Sequence, residues 1–213
     1  MADLLIVLAK GLTTLVLILN PVAAAALFVT MTAQDDAARR RRTARTAALT
    51  VACVLVTAAY AGQALLGLFG VSLDGLRVFG GLLLLLIAAE MMGARPSRTT
   101  TSDAETAAGV AKPDVGITPL GIPVLAGPGS ILTVMVMHAD LQARALPGWS
   151  LLGPIVLAAI ATWITLRLAV MLHDRIGPIA IGIGSRLMGL MLGALAVEMM
   201  LEGVRSLLHL GTP

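Results

Sequence analysis

The stretches ILNPVAAAALFVTMT (Ile18–Thr32) and VLAGPGSILTVMVMH (Val124–His138) decide how this chain folds. Each places a proline after a small or polar residue, in the middle of an otherwise apolar segment. A proline inside a helix costs roughly 3 kcal/mol and leaves a carbonyl without its hydrogen bond. The two stretches therefore predict two apolar helices, each broken near its middle.

The composition of the whole chain is that of a membrane protein. Of its 213 residues, 58% are hydrophobic and only 13% are charged, whereas soluble domains are about half apolar and about a quarter charged. Apolar runs of about 20 residues, long enough to cross a bilayer, recur along the chain. We predict six spans, at Gly11–Thr32, Ala47–Phe69, Ser72–Gly93, Ile117–Met137, Leu151–Leu172 and Ile181–Leu201.

Basic residues are distributed unevenly between the ends of these spans. Five arginines, at 39–42 and 45, crowd the predicted loop between the first two spans. The positive-inside rule places this loop in the cytoplasm and both termini in the periplasm of a bacterial inner membrane. The net charge of +3 therefore indicates topology and attraction to anionic lipid, and we expect no nucleic-acid partner.

The third and sixth spans resemble each other. GLRVFGGLLLLLIAAEMMG (Gly75–Gly93) aligns with GSRLMGLMLGALAVEMM (Gly184–Met200). Because each half would hold three spans, the second half must enter the membrane from the opposite side, as in many secondary transporters. We predict an all-α membrane protein with six transmembrane helices in an inverted 3+3 repeat. Its halves are residues 1–93 and 117–213, joined by a polar cytoplasmic linker at 94–116.

The two helix breaks are the candidate substrate site. Unpaired backbone groups at membrane depth need protein or a water-filled cavity around them, and the N–H groups that begin a helix suit a carboxylate. Proline kinks that only shape packing are the competing interpretation, although the run GIPVLAGPGS can hardly stay helical. The predicted substrate-binding residues are Asn20, Pro21, Val22, Ala23, Gly127, Pro128, Gly129 and Ser130.

At these residues the chain resembles the MarC family of bacterial inner-membrane proteins. TPLGIPVLAGPGSILTV (Thr118–Val134) fits that family's Pro-x-x-Ile-Pro-x-x-x-Gly-Pro-Gly pattern, and LNPVAAAALF matches its first-helix motif at Asn20 and Pro21. The chain departs from that motif at Ala23 and Ala26, where the family often has glycine and a second proline. The resemblance implies a six-helix transporter fold related to the lysine-exporter superfamily. It also implies a secondary transporter, here predicted to export small neutral amino acids.

Ionisable residues inside the spans are further candidates. Glu90 and Glu198 lie in apolar surroundings and are predicted as coupling groups, with an interfacial position as the alternative. Arg77 and Arg186 begin their helices, where we expect their side chains to reach the membrane interface.

Other classes of function remain as alternatives. The three histidines, His138, His173 and His209, are isolated, so we expect no metal site, and nothing indicates a cofactor. We expect no enzyme, and the second hypothesis is an intramembrane hydrolase that uses Ser130. A membrane scaffold or channel is the third, and the oligomeric state is left open.

Overall fold

The computed structural model describes residues 2–93, 115–172 and 178–208, and every regular element in these ranges is helical. These elements are α1 Ala2–Leu19, α2 Pro21–Met31, α3 Ala37–Phe69, α4 Leu73–Met92, a π-helical segment Leu120–Leu125, α5 Pro128–Ala143, a 3-10 turn Gly148–Leu151, α6 Leu152–Leu172 and α7 Pro178–Leu207. The predicted all-α class is confirmed. The predicted linker at 94–116 lies outside the described ranges except for its last two residues.

Five helical segments in the described ranges are long and apolar enough to cross a membrane: Leu8–Met31, Ala37–Phe69, Leu73–Met92, Gly148–Ala169 and Arg186–Leu207. They correspond to five of the six predicted spans. The predicted span at Ile117–Met137 is not a single helix, because its break leaves α5 with only 16 residues.

The first break falls at Asn20, between α1 and α2. Asn20 adopts the left-handed conformation, with φ 43° and ψ 60°, and α2 begins at Pro21. Proline suits the first position of a helix because its missing N–H would have had no partner there. The Asn20 side chain caps α2 by accepting a hydrogen bond from the Ala23 N–H at 3.3 Å.

The second break extends over more of the backbone. Within the π-helical segment Ile122 is extended, with φ −133° and ψ 126°. Gly127 is extended as well, with φ −80° and ψ 174°, and α5 begins at Pro128. Because Pro123 and Pro128 have no N–H to donate, a regular α-helix cannot continue through this stretch.

The prediction that the five arginines lie in a loop between the first two spans is wrong, because these residues lie on α3. Asp36 caps this helix by accepting a hydrogen bond from the Arg39 N–H at 2.7 Å. Arg40 donates to the carbonyls of Thr32 and Ala33, both at 2.8 Å, at the end of α2. At 1.5 Å per residue, the 33 residues of α3 extend roughly 50 Å, so the arginine end projects beyond an apolar core of about 30 Å.

Helices α4 and α7 pack closely against each other through glycine, and they run antiparallel. A Cβ on Gly81 would lie 2.7 Å from the carbonyl oxygen of Ala196, and one on Gly203 would lie 2.8 Å from that of Asp74. Such close approach of two backbones is possible only where side chains are absent.

The buried residues form two clusters. The larger joins α1, α2, α3, the π-helical segment, α5 and α6, and the smaller lies mainly between α4, α5 and α7. The larger cluster contains Leu19 and Ala24, which flank the first break, and Leu125 and Ala126 from the second. Helix α2 also contacts the π-helical segment. The fold therefore brings the two breaks, about a hundred residues apart in sequence, into one buried region.

Candidate functional site at the helix breaks

The polar groups at the first break are paired with one another. The Asn20 amide oxygen accepts the Ala23 N–H, and its Nδ2 donates to the Met91 Sδ at 3.5 Å. A substrate site at this break would offer the Asn20 side chain to an ammonium and the Ala23 N–H to a carboxylate. In the structure these two groups bind each other, so a ligand at this position has to displace the cap.

Three of the four predicted residues at the second break are buried: Gly127, Gly129 and Ser130, with Pro128 exposed. The Ser130 hydroxyl donates to the carbonyl of Gly127 at 2.8 Å and lies 3.3 Å from that of Leu125. A backbone carbonyl cannot take up the proton of a nucleophilic serine, so these contacts do not activate Ser130 for hydrolysis.

Gly129 allows α5 to approach α4. A Cβ on Gly129 would lie 2.7 Å from the Leu84 Cδ2, so a larger residue there changes helix packing as well as any ligand site. The effect of a Gly129 substitution on binding cannot be separated from this contact.

The two predicted coupling acids lie on α4 and α7, which pack against each other. Glu198 is exposed on α7, and Glu90 is partly buried on α4. Their coupling role stays a prediction.

Arg77, which the sequence predicted to reach the membrane interface, is paired with two carboxylates in the structure. Its guanidinium binds the carboxylates of Asp74, one turn earlier on α4, and of Asp140, near the end of α5. The second Asp74 oxygen accepts the Ser206 hydroxyl of α7 at 2.7 Å. Charge-assisted hydrogen bonds of this kind therefore join α4, α5 and α7 at one end of the protein.

Sequence reasoning missed Asp140. The available signal was an acid that follows a long apolar stretch, in VMVMHAD, and nothing local to it reveals Arg77 as its partner. Its neighbour His138 is buried. The His138 Nε2 lies 3.1 Å from the Gln142 amide nitrogen, and its ring packs against that of Tyr60 in a T-shaped arrangement with centroids 4.8 Å apart. Within the described ranges no group of three or more His, Cys, Asp or Glu residues could hold a metal ion.

The membrane-spanning helices agree with the likeness of this chain to a known family of integral membrane proteins. The model of MarC family integral membrane proteins matches residues 5–208, nearly the whole chain. The chain belongs to the MarC family. It is 34% identical over 192 residues to a membrane protein of Methanocaldococcus jannaschii, covering 90% of this chain and 92% of that one.

Other MarC-family relatives agree in length as well as in sequence. The membrane protein YhcE of Escherichia coli is 31% identical over 190 residues, which cover 89% of this chain and 88% of YhcE. The inner membrane protein MarC of Citrobacter koseri is 30% identical over 213 residues, which cover 96% of each chain. None of these three relatives carries the name of an enzyme. No solved structure matches the chain.

Proposed function

We propose that this MarC-family protein is a secondary transporter that exports small neutral amino acids across the bacterial inner membrane. The observation that carries the proposal is the meeting of two broken helices in one buried cluster. Secondary transporters commonly hold their substrate between broken helices near the middle of the membrane. The proposal includes the substrate site at the breaks, at Asn20–Ala23 and Gly127–Ser130.

The contacts between α4 and α7 support the inverted 3+3 repeat. A Cβ on Gly80 would lie 2.9 Å from the Met199 Cε, and one on Gly189 would lie 2.9 Å from the Met91 Cβ. In the alignment of the two halves Gly80 corresponds to Gly189 and, after a one-residue slip, Met91 corresponds to Met199. Each helix therefore offers its glycine to the methionine of the other, which is the reciprocal contact that a two-fold axis produces. The broken segment at Ile117–Met137 is then the fourth of the six spans.

The substrate carboxylate takes the place of the Asn20 amide oxygen at the start of α2. The N–H groups of Val22 and Ala23, with those of Gly129 and Ser130 at the start of α5, then hold the anionic end. The displaced Asn20 oxygen and the carbonyls before each proline accept from the ammonium. The small residues around both breaks leave space for a small side chain only.

Counterflow in proteoliposomes tests this function. Vesicles loaded with unlabelled L-alanine should accumulate external labelled L-alanine transiently and saturably, and glycine, serine and threonine should compete. Ethylamine should compete poorly because it lacks the carboxylate. A scaffold gives no uptake and a channel gives no counterflow, so the absence of counterflow for the whole panel contradicts the proposal.

Substitution of Ser130 separates transport from the hydrolase alternative. Because the proposal uses its backbone N–H rather than its hydroxyl, Ser130→Ala should retain counterflow within about fivefold, the loss of one neutral hydrogen bond. Thr165→Ala is the matched control, because its hydroxyl bonds the Ala161 carbonyl at 2.8 Å on α6. Complete loss of counterflow in Ser130→Ala, with counterflow retained in Thr165→Ala, would favour a serine nucleophile.

The coupling role of Glu198 is tested in the same vesicles under a pH gradient. Glu198→Gln should remove the dependence of transport on the gradient because an amide, unlike a carboxylate, does not take up and release a proton. Glu202→Gln, one turn further on α7 and also exposed, should keep it. A gradient response that survives in Glu198→Gln removes this residue, and leaves Glu90 as the remaining candidate.

The proposed orientation places both termini in the periplasm. The arginine end of α3 lies at the opposite end of the protein from Arg77 and Asp140. The positive-inside rule assigns the arginine end to the cytoplasm and the other end to the periplasm. Alkaline phosphatase fused after Pro213 should be active in cells. A fluorescent protein at the same place would fluoresce if the orientation were reversed.

A further inference from the structure

A cavity of about 190 Å³ lies between α1, the end of α5 and the start of α6. Its polar wall consists of Lys10, Thr14, Asp140, Arg144 and Ser150. None of the residues at the two helix breaks lines it. Because drug-sized ligands need cavities of about 300 Å³ or more, this one suits a molecule of only a few heavy atoms.

Ser150 points to a ligand in this cavity. The residue is 3% exposed, and its Oγ has no hydrogen-bond partner in the part of the chain that the structure describes. Buried hydroxyl groups almost always have a partner, and leaving one without a partner is unfavourable. The Ser150 hydroxyl is therefore available to donate to a bound molecule.

The charges on the wall define the chemistry of that molecule. Lys10 and Arg144 are exposed, and neither forms an ion pair within residues 2–93, 115–172 and 178–208. Asp140 already binds Arg77 through its Oδ1, and its side chain is still 38% exposed. Two cations without partners beside one compensated carboxylate favour an anionic group, and Asp140 leaves one acceptor for an ammonium.

We propose that this cavity binds a small amino acid by its carboxylate, at a site separate from the helix breaks. Lys10 and Arg144 pair with the carboxylate, the Ser150 hydroxyl donates to it, and Asp140 accepts from the ammonium. The preference for a carboxylate follows from the cavity alone. The choice of an amino acid rests on the proposed transport function.

Binding is measured on the full chain in nanodiscs made only of phosphatidylcholine, so that no anionic lipid competes for the cations. The probes are L-alanine, propionate and ethylamine, titrated by calorimetry. L-Alanine should bind more tightly than propionate, and ethylamine most weakly. Lys10→Gln and Arg144→Gln should each weaken L-alanine binding about tenfold. Arg205→Gln, a cation on α7 that does not line the cavity, should leave the affinity unchanged.

Ser150→Ala provides a second test with two readouts of opposite sign. It should weaken L-alanine binding about three- to tenfold because one donor is lost. It should also leave the Tm of the ligand-free protein unchanged or raised, because an unpaired buried hydroxyl is removed. Thr162→Ala is the control: its buried hydroxyl bonds the Ala158 carbonyl at 2.9 Å, so the Tm should fall while binding stays the same.

The outcomes separate this site from the transport function. Wild-type affinity in both cation variants, ethylamine binding as tight as that of L-alanine, or no saturable binding of any probe overturns the cavity site, whatever counterflow shows. If L-alanine binding depends on Lys10 but no counterflow occurs, the cavity site is supported and the transport function is contradicted.

Discussion

Replacing Asn20 by glycine should cost much less stability than replacing it by alanine. Alanine at φ 43° and ψ 60° suffers a left-handed strain of about 1–2 kcal/mol, and it loses the cap on the Ala23 N–H, worth about 1 kcal/mol. Glycine has no such strain and loses only a few tenths of a kcal/mol as a cap. The free energy of unfolding of the Ala variant should therefore be about 2–2.5 kcal/mol lower than that of the Gly variant.

Thr13 on α1 supplies the matched control. It is exposed in a regular helix, where glycine should be worse than alanine by about 1 kcal/mol. The order of stability should thus reverse, because glycine is the milder substitution at Asn20 and alanine is the milder one at Thr13. Unfolding by SDS in mixed micelles measures it, with fluorescence from the two tryptophans, Trp149 and Trp163. If Asn20→Gly unfolds as early as Asn20→Ala, the left-handed residue is not what sustains the break.

Two further predictions concern glycine and alanine elsewhere, and the same titration measures both. Gly81→Ala should lower the free energy of unfolding by about 1–3 kcal/mol because its Cβ meets the Ala196 carbonyl, whereas Gly184→Ala, with open space around it on α7, should not lower it. Ala145, two residues after the end of α5, is in the left-handed region at φ 53°, so Ala145→Gly should raise stability by about 0.5–1 kcal/mol. Ala143→Gly, at the last residue of the helix, should lower stability by up to about 1 kcal/mol. Equal effects of Gly81→Ala and Gly184→Ala would contradict the close packing at Gly81. Equal effects of Ala145→Gly and Ala143→Gly would contradict the backbone strain at Ala145.

The membrane class and the positions of both helix breaks could be predicted from the sequence because their causes are local. A run of apolar side chains needs no distant partner to favour lipid, and Pro21 and Pro128 lack their N–H in any fold. The same local rules also predict an N-cap wherever asparagine precedes a proline that starts a helix. The hydrogen bond from the Ala23 N–H to the Asn20 side chain could therefore have been predicted from the sequence.

Tertiary structure alone decided what lies next to these local features. Arg77 and Asp140 are 63 residues apart, and the lining of the cavity comes from α1, α5 and the start of α6, so no spacing in the sequence reveals either group. The arginines became the start of α3 because a cap at Asp36 and the carbonyls at the end of α2 were available to them. A charge in a mostly apolar chain takes the partner that folding brings near it, and that partner is set by how whole helices pack rather than by neighbouring residues.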